Sequence, residues 1–169
     1  MITKEDSADL IQALGLPEII LNMYNGEKMP APIDFSFGVP EAFFTMTGEE
    51  QLRYGNGHLF PIWDDGDFGI IVGYDRQRKG FVRFYLEQNG LESLPLYTYQ
   101  QIMVGEFVGF WEDLLGEYNE EMSRCIKPMK KFALLFDFDY VDELLEELQE
   151  DVDYTDEEWL QSFITRIAS

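Results

Sequence analysis

Leu10, Ile11 and Leu14 fall on one helical face ahead of Gly15 and Pro17, and Thr3 and Asp6 stand at capping distance, so the pattern predicts a short helix near the start. A second short helix or turn runs from Pro17 to Tyr24 and ends at the turn signal Asn25-Gly26. From Met29 to Phe44, prolines and scattered aromatics predict an ordered connection with a strand around Ile33 to Phe37. The period then shortens to two. Leu59 to Trp63, Phe68 to Tyr74 and Phe81 to Glu87 are apolar or aromatic runs separated by DDGD and DRQRKG, the composition of hairpin turns in an antiparallel meander. In the third run Phe81, Arg83, Tyr85 and Glu87 share one face and Val82, Phe84 and Leu86 the other. A further strand is expected around Leu91 to Leu96.

Helical spacing returns at Thr98. Ile102, Val104, Phe107, Val108, Trp111, Leu114 and Leu115 predict a helix that stops at Gly116 and covers one face of the sheet. Phe132 to Phe138 reads as an edge strand or hydrophobic lead-in, with Asp137 or Asp139 capping a helix that begins near Val141. In that helix Val141, Leu144, Leu145, Leu148 and Val152 recur at helical spacing among carboxylates. Thr155-Asp156-Glu157-Glu158 is a capping box by residue type, and Trp159, Leu160, Phe163, Ile164 and Ile167 form the apolar face of a last helix. The expected class is α+β: an antiparallel β-sheet flanked by helices, with a C-terminal acidic helical pair.

Composition changes this picture through charge. The 169 residues are 46% hydrophobic, enough for a core, but 33 carboxylates against 12 Lys and Arg give a formal net charge of -21. Such a field repels phosphate backbones and anionic lipid and attracts basic proteins, which argues against nucleic acid and membrane surfaces as partners. With one cysteine, Cys125, no internal disulfide forms. MITKEDSADLIQ has no apolar signal core, and no run approaches a membrane span, so the chain is read as soluble and cytoplasmic. His58 is the only histidine, which excludes zinc sets built from His and Cys, and its GNGH context reads as a turn, not a triad. No cofactor is expected.

Two motifs invite chemistry. ALLFDFDY, at 133–140, resembles the strand that presents the nucleophile in haloacid-dehalogenase-like phosphatases, with Asp137 as nucleophile and Asp139 as acid/base. That fold needs a long parallel α/β domain after the motif, and here two helices follow, with Tyr140 and Val141 where glycine and threonine belong. In WDDGDFG, Asp64, Asp65 and Asp67 are oxygen ligands of the kind calcium prefers, but the spacing is not that of an EF-hand loop and a solvated hairpin turn explains it. The acidic C-terminal segment is harder to explain as plain solvation. From Asp137 to Glu158 there are twelve carboxylates and no Lys or Arg. Like-charge pairs such as Asp142 with Glu146, Glu143 with Glu147, and Glu146 with Glu150 each cost about 0.2–0.5 kcal/mol on a helix. Nearby Arg124, Lys127, Lys130 and Lys131 could fold back on them.

Gly57-His58-Leu59-Phe60-Pro61-Ile62-Trp63, followed by an Asp/Gly turn and FGIIVGYD, resembles the core of the SUKH superfamily, which includes fungal cell-wall assembly regulator-like and bacterial immunity proteins. Leu16-Pro17-Glu18 and Asn25-Gly26 are similar to its early elements, and FVRFYLE and the helix from Thr98 to Leu115 follow in the expected order. The likeness spans residues 10 to 116; a proline- and aromatic-rich stretch and a longer acidic tail depart from it. It implies a single SUKH-like α+β domain over 1–169, with 137–169 as a helical extension, that neutralises a basic toxin, such as a nuclease, without catalysis. The residues expected to bind the partner are Asp142, Glu143, Glu146, Glu147, Glu150 and Asp151, with Asp64, Asp65 and Asp67 as a second patch and Trp63 or Tyr74 as an aromatic anchor. The alternatives are a regulatory scaffold and, further off, a metal-dependent phosphatase using Asp137 and Asp139. Oligomeric state is not legible.

Overall fold

The computed structural model describes residues 1–66, 69–87 and 93–167, and the chain divides into two compact units, Met1–Tyr97 and Thr98–Ser169. The fold is α+β, with one antiparallel three-stranded sheet and α-helices.

In the first unit, α1 (Lys4–Ala13) opens on the expected box: the Thr3 hydroxyl accepts from the Asp6 amide and the Asp6 carboxylate accepts from the Thr3 amide. α2 (Glu18–Tyr24) follows Pro17 and stops at Asn25. Ile33–Phe35 is a short 3-10 turn and not the expected strand; after it Gly38 makes a single antiparallel bridge to Asp64. Prolines at 30, 32 and 40 remove the amides a longer ladder would use. Two one-turn helices, α3 (Glu41–Phe44) and α4 (Gly48–Gln51), come next, the second opened by a Thr47/Glu50 box.

β1 (Leu59–Asp64), β2 (Ile70–Asp75) and β3 (Gly80–Tyr85) pair in chain order. The β1–β2 register slips between Pro61 and Trp63, so Ile62 is a bulge. Pro61 is tolerated on this edge strand, and the Tyr24 hydroxyl donates to the Ile62 carbonyl at 2.5 Å. The bulge has a packing consequence. Without it Trp63 would share a face with Leu59 and Pro61; with it Trp63 pairs with Val72 and joins the face of Phe60, Tyr74 and Phe81. One face packs Leu59, Ile71, Val82 and Phe84 against Phe43, Tyr54 and Ile2. On the other, Trp63 stacks on Phe37 at 5.0 Å and lies 6.3 Å from Phe81. Burial of Phe81 alongside Val82 and Phe84, with Arg83 half-buried and Tyr85 exposed, fits a strand covered on both faces at one end. Of the strand expected from Leu91 to Leu96, residues 91 and 92 lie outside the described residues, and the rest holds no ladder; Tyr97 makes one bridge to Phe81.

The second unit is helical. α5 (Tyr99–Glu117) starts at a Thr98/Gln101 capping box and packs against α6 (Met122–Leu135) and α8 (Glu157–Arg166), while α6 also packs against α7 (Val141–Leu148). Residues 132–135, expected in an edge strand or lead-in, are the last turn of α6. Cys125, Met129, Phe132 and Phe136 form its buried stripe, and Lys127, Lys131 and Leu134 face out. Phe107, Phe110, Phe136 and Phe138 make an aromatic cluster, with the closest centroids 4.5 Å apart. Neither Asp137 nor Asp139 caps α7: Tyr140 occupies the N-cap position and makes no side-chain cap bond. At α8 the cap is Asp156, whose carboxylate accepts from the Glu158 amide, and the Thr155 hydroxyl donates to Asp153. No helix among the described residues is long and apolar enough to cross a membrane.

Candidate functional site

The carboxylates expected to meet a partner form one patch in each unit. On the second unit, α7 turns Leu144, Leu145 and Leu148 inward, which forces Asp142, Glu143 and Glu146 into solvent, and Glu150 and Asp151 continue the exposed surface just past the helix end. Glu150 therefore lies beyond α7, and its expected helical repulsion with Glu146 does not arise there. Glu147 differs from its neighbours. Half-buried, it accepts from Trp159 Nε1 at 3.2 Å and Arg166 Nη2 at 2.6 Å, which ties α7 to α8. Of the four bases on α6, Lys130 reaches Asp142, at 3.7 Å with both side chains mostly exposed. Such a pair contributes about 0–1 kcal/mol and leaves the surface strongly anionic. Nearby, burial and the charges of Glu112, Glu120 and Asp153 push the Tyr154 hydroxyl above its ordinary pKa.

The turn that carries Asp137 and Asp139 is held from α5. Gln100 Nε2 donates to the Asp137 carbonyl at 2.7 Å, the Asp139 amide donates back to Gln100 Oε1 at 2.9 Å, and the Tyr99 hydroxyl donates to the Phe136 carbonyl at 2.5 Å. Asp137 adopts a left-handed conformation, φ 50°, that aspartate tolerates better than most residues. Because 133–135 are helical, the strand that would present a phosphatase nucleophile is absent at this motif. Among the described residues no group of three or more His, Cys, Asp or Glu is placed to hold a metal ion.

The patch on the first unit is smaller. Asp64 and Asp65 are both half-buried, and Asp67 lies outside the described residues. Asp64 Oδ1 accepts from the Gly66 amide at 2.9 Å. Gly66 sits at φ 80°, where an added Cβ would collide with the Phe35 carbonyl oxygen, so glycine is required at this turn. Burial, reinforced by Asp65 and Glu41 and opposed by the Gly66 bond, raises the Asp64 carboxyl pKa. A raised folded pKa means the folded chain holds the proton more tightly, so ionised Asp64 costs stability at neutral pH and the cost disappears as pH falls toward the ordinary carboxylate value. Asp64→Asn keeps the acceptor and removes the charge. It is expected to raise the Tm at neutral pH, with the gain vanishing in acid, as read from melting curves across pH.

The two expected aromatic anchors differ in exposure. Trp63 is fully buried, and Tyr74 is half-buried with its ring edge-on to Phe81 at 5.2 Å. His58 borders a cavity of about 320 Å³ with Asn56, Gln77 and the Asp75–Arg78 pair. Burial notwithstanding, the bonds from Arg78 and Gln77 hold the Asp75 carboxyl below its ordinary value. Two features escaped the sequence reading: the Gln100 clamp, which spans 37 residues to Asp137, and Leu134, a leucine 82% exposed. An outward leucine in line with Lys127 and Lys131 becomes visible once 122–135 is treated as a helix. No family model, no curated protein and no solved structure matches the chain.

Proposed function

We propose that this protein is a non-enzymatic binding protein of the immunity type that its SUKH-like motifs suggest, acting in the cytoplasm to cover the cationic surface of a toxin. The observation that carries this reading is the exposed carboxylate face of α7 and the residues after it, which intramolecular bases leave largely uncompensated. A polyanion of this kind competes with phosphate for a basic surface, and a nuclease is one such target. Occlusion, not chemistry, is the mechanism. Long-range attraction of this sort raises association rates by about 10–1,000-fold and fades with salt.

The test is capture from the native cell at low and high salt, repeated with a chain carrying Asp142→Asn, Glu143→Gln, Glu146→Gln and Glu150→Gln. A basic partner, released by salt and associating at least about tenfold more slowly with the neutralised chain, is the expected result. A neutral partner whose binding ignores both salt and these substitutions would overturn the reading. A cellular scaffold role would show itself as a basic partner that is no toxin.

A further inference from the structure

The second unit contains a groove of about 360 Å³ where the end of α6 meets the start of α7, lined by Ala133, Leu134, Phe138 and Val141, with Asp137, Asp139 and Asp142 around it. Three features set it apart from a solvated charged face. Leu134, at 82% exposed, places an unpartnered apolar side chain at its edge, and Val141 is half-buried beside it. The floor is packed: Phe138 is buried, its ring centroid 4.5 Å from that of Phe107. The turn that carries two of the carboxylates is pinned in advance by Gln100 and Tyr99. A preformed apolar seat ringed by charge is the anatomy of a contact centre, and pre-organisation lowers the entropy cost of binding.

Charge decides the occupant. Three carboxylates face one ammonium, that of Lys130, whose loose contact with Asp142 an incoming cation displaces at little cost. Lys131 stands one turn before Leu134 on the same stripe of α6 and Lys127 a further turn back, so the negative end of the groove is formed by the α6–α7 turn and the start of α7. We infer that the α6–α7 groove is the anchor point for the basic partner and that it takes an apolar side chain flanked by lysine or arginine, seated on Leu134 with its cations on Asp137, Asp139 and Asp142. A second copy of this chain fits poorly, because it would bring like charge against like. The inference rests on the proposed binding of a basic protein and adds where the partner's apolar contact falls.

Two fluorescent helical peptides with equal lysine content, one with leucines on its second face and one with serines, test it by anisotropy against the full chain and its Leu134→Asp and Leu134→Ala variants. Leu134 is exposed, so both variants are expected to fold, which circular dichroism checks. The Lys/Leu peptide is expected to bind the native chain more tightly than the Lys/Ser peptide, and to lose at least about tenfold in affinity with Leu134→Asp. The Lys/Ser peptide should bind that variant unchanged or slightly better, since the variant adds a negative charge. That opposite response separates apolar seating from plain attraction. Equal, salt-sensitive binding of both peptides with no effect at Leu134 would overturn the groove and leave the acidic-surface reading standing. Failure of both peptides to bind would overturn the two together. Sedimentation showing a dimer that Leu134→Asp dissolves would overturn the assignment of the groove to a basic partner.

Discussion

Replacing Phe107 with alanine is expected to lower the stability of the helical unit by about 3–5 kcal/mol, the range for removing a large aromatic side chain from a closed core. Phe107 is fully buried on α5, with ring centroids of Phe138, Phe110 and Phe136 at 4.5, 5.0 and 6.2 Å. Aromatic pairs contribute about 0.5–1.5 kcal/mol each beyond the area they bury, and here several share one ring. Phe110 lies one turn along α5, whereas Phe136 ends α6 and Phe138 sits in the turn after it, so the void left by alanine opens at the point where those segments meet α5. Urea denaturation followed by circular dichroism measures the loss. A shift below about 1 kcal/mol would mean that the cluster collapses around the vacancy, contrary to the packing described above.

The second large effect lies in the sheet. Trp63→Ala is expected to cost about 3–5 kcal/mol, because the indole is fully buried and stacked on Phe37. Trp63→Phe should be far milder. The indole Nε1 finds no acceptor among the described residues, and an orphaned buried donor costs about 1–3 kcal/mol. Phenylalanine removes that penalty and keeps the stack with Phe37, which offsets part of the lost volume. Thermal melts of the two variants side by side are the check. Equal damage from both would show that the N–H is satisfied or that the larger ring cannot be spared. Any loss of partner binding by Trp63→Ala should follow the unfolded fraction, since this side chain is not at the surface.

How far the sequence could be read depended on whether local chemistry decides the structure. Thr3 with Asp6 and Thr98 with Gln101 close their boxes within four residues, and α1 and α5 begin where those residues stand. The three strands were legible for the same reason, since alternation and DDGD or DRQRKG turns are local signals. Trp63 was not, because one inserted residue at Ile62 reverses the face of everything after it, and nothing in a period-two pattern announces the insertion. The start of α6 was hidden by Pro128, which ordinarily interrupts a helix, and its end by ALLF, a run that suits a buried strand equally well. Stripe burial of Cys125, Met129, Phe132 and Phe136 settles the period at helical. At the candidate site, the carboxylates of α7 could be placed outward from the leucine spacing alone, whereas the groove beside them depends on a glutamine 37 residues away in sequence.

The burial of Cys125 has a practical side. Its sulfur is fully covered on the inner face of α6, within 3.5 Å of the Glu121 carbonyl, and burial together with the Glu120 charge raises the thiol pKa. The native thiol is thus both shielded and weakly nucleophilic, and there is no other in the chain to confuse the signal. A thiol reagent can reach it only during excursions that lift α6 away from its neighbours, so labelling kinetics in otherwise native buffer become a clock for local opening of the very helix that ends at Leu134.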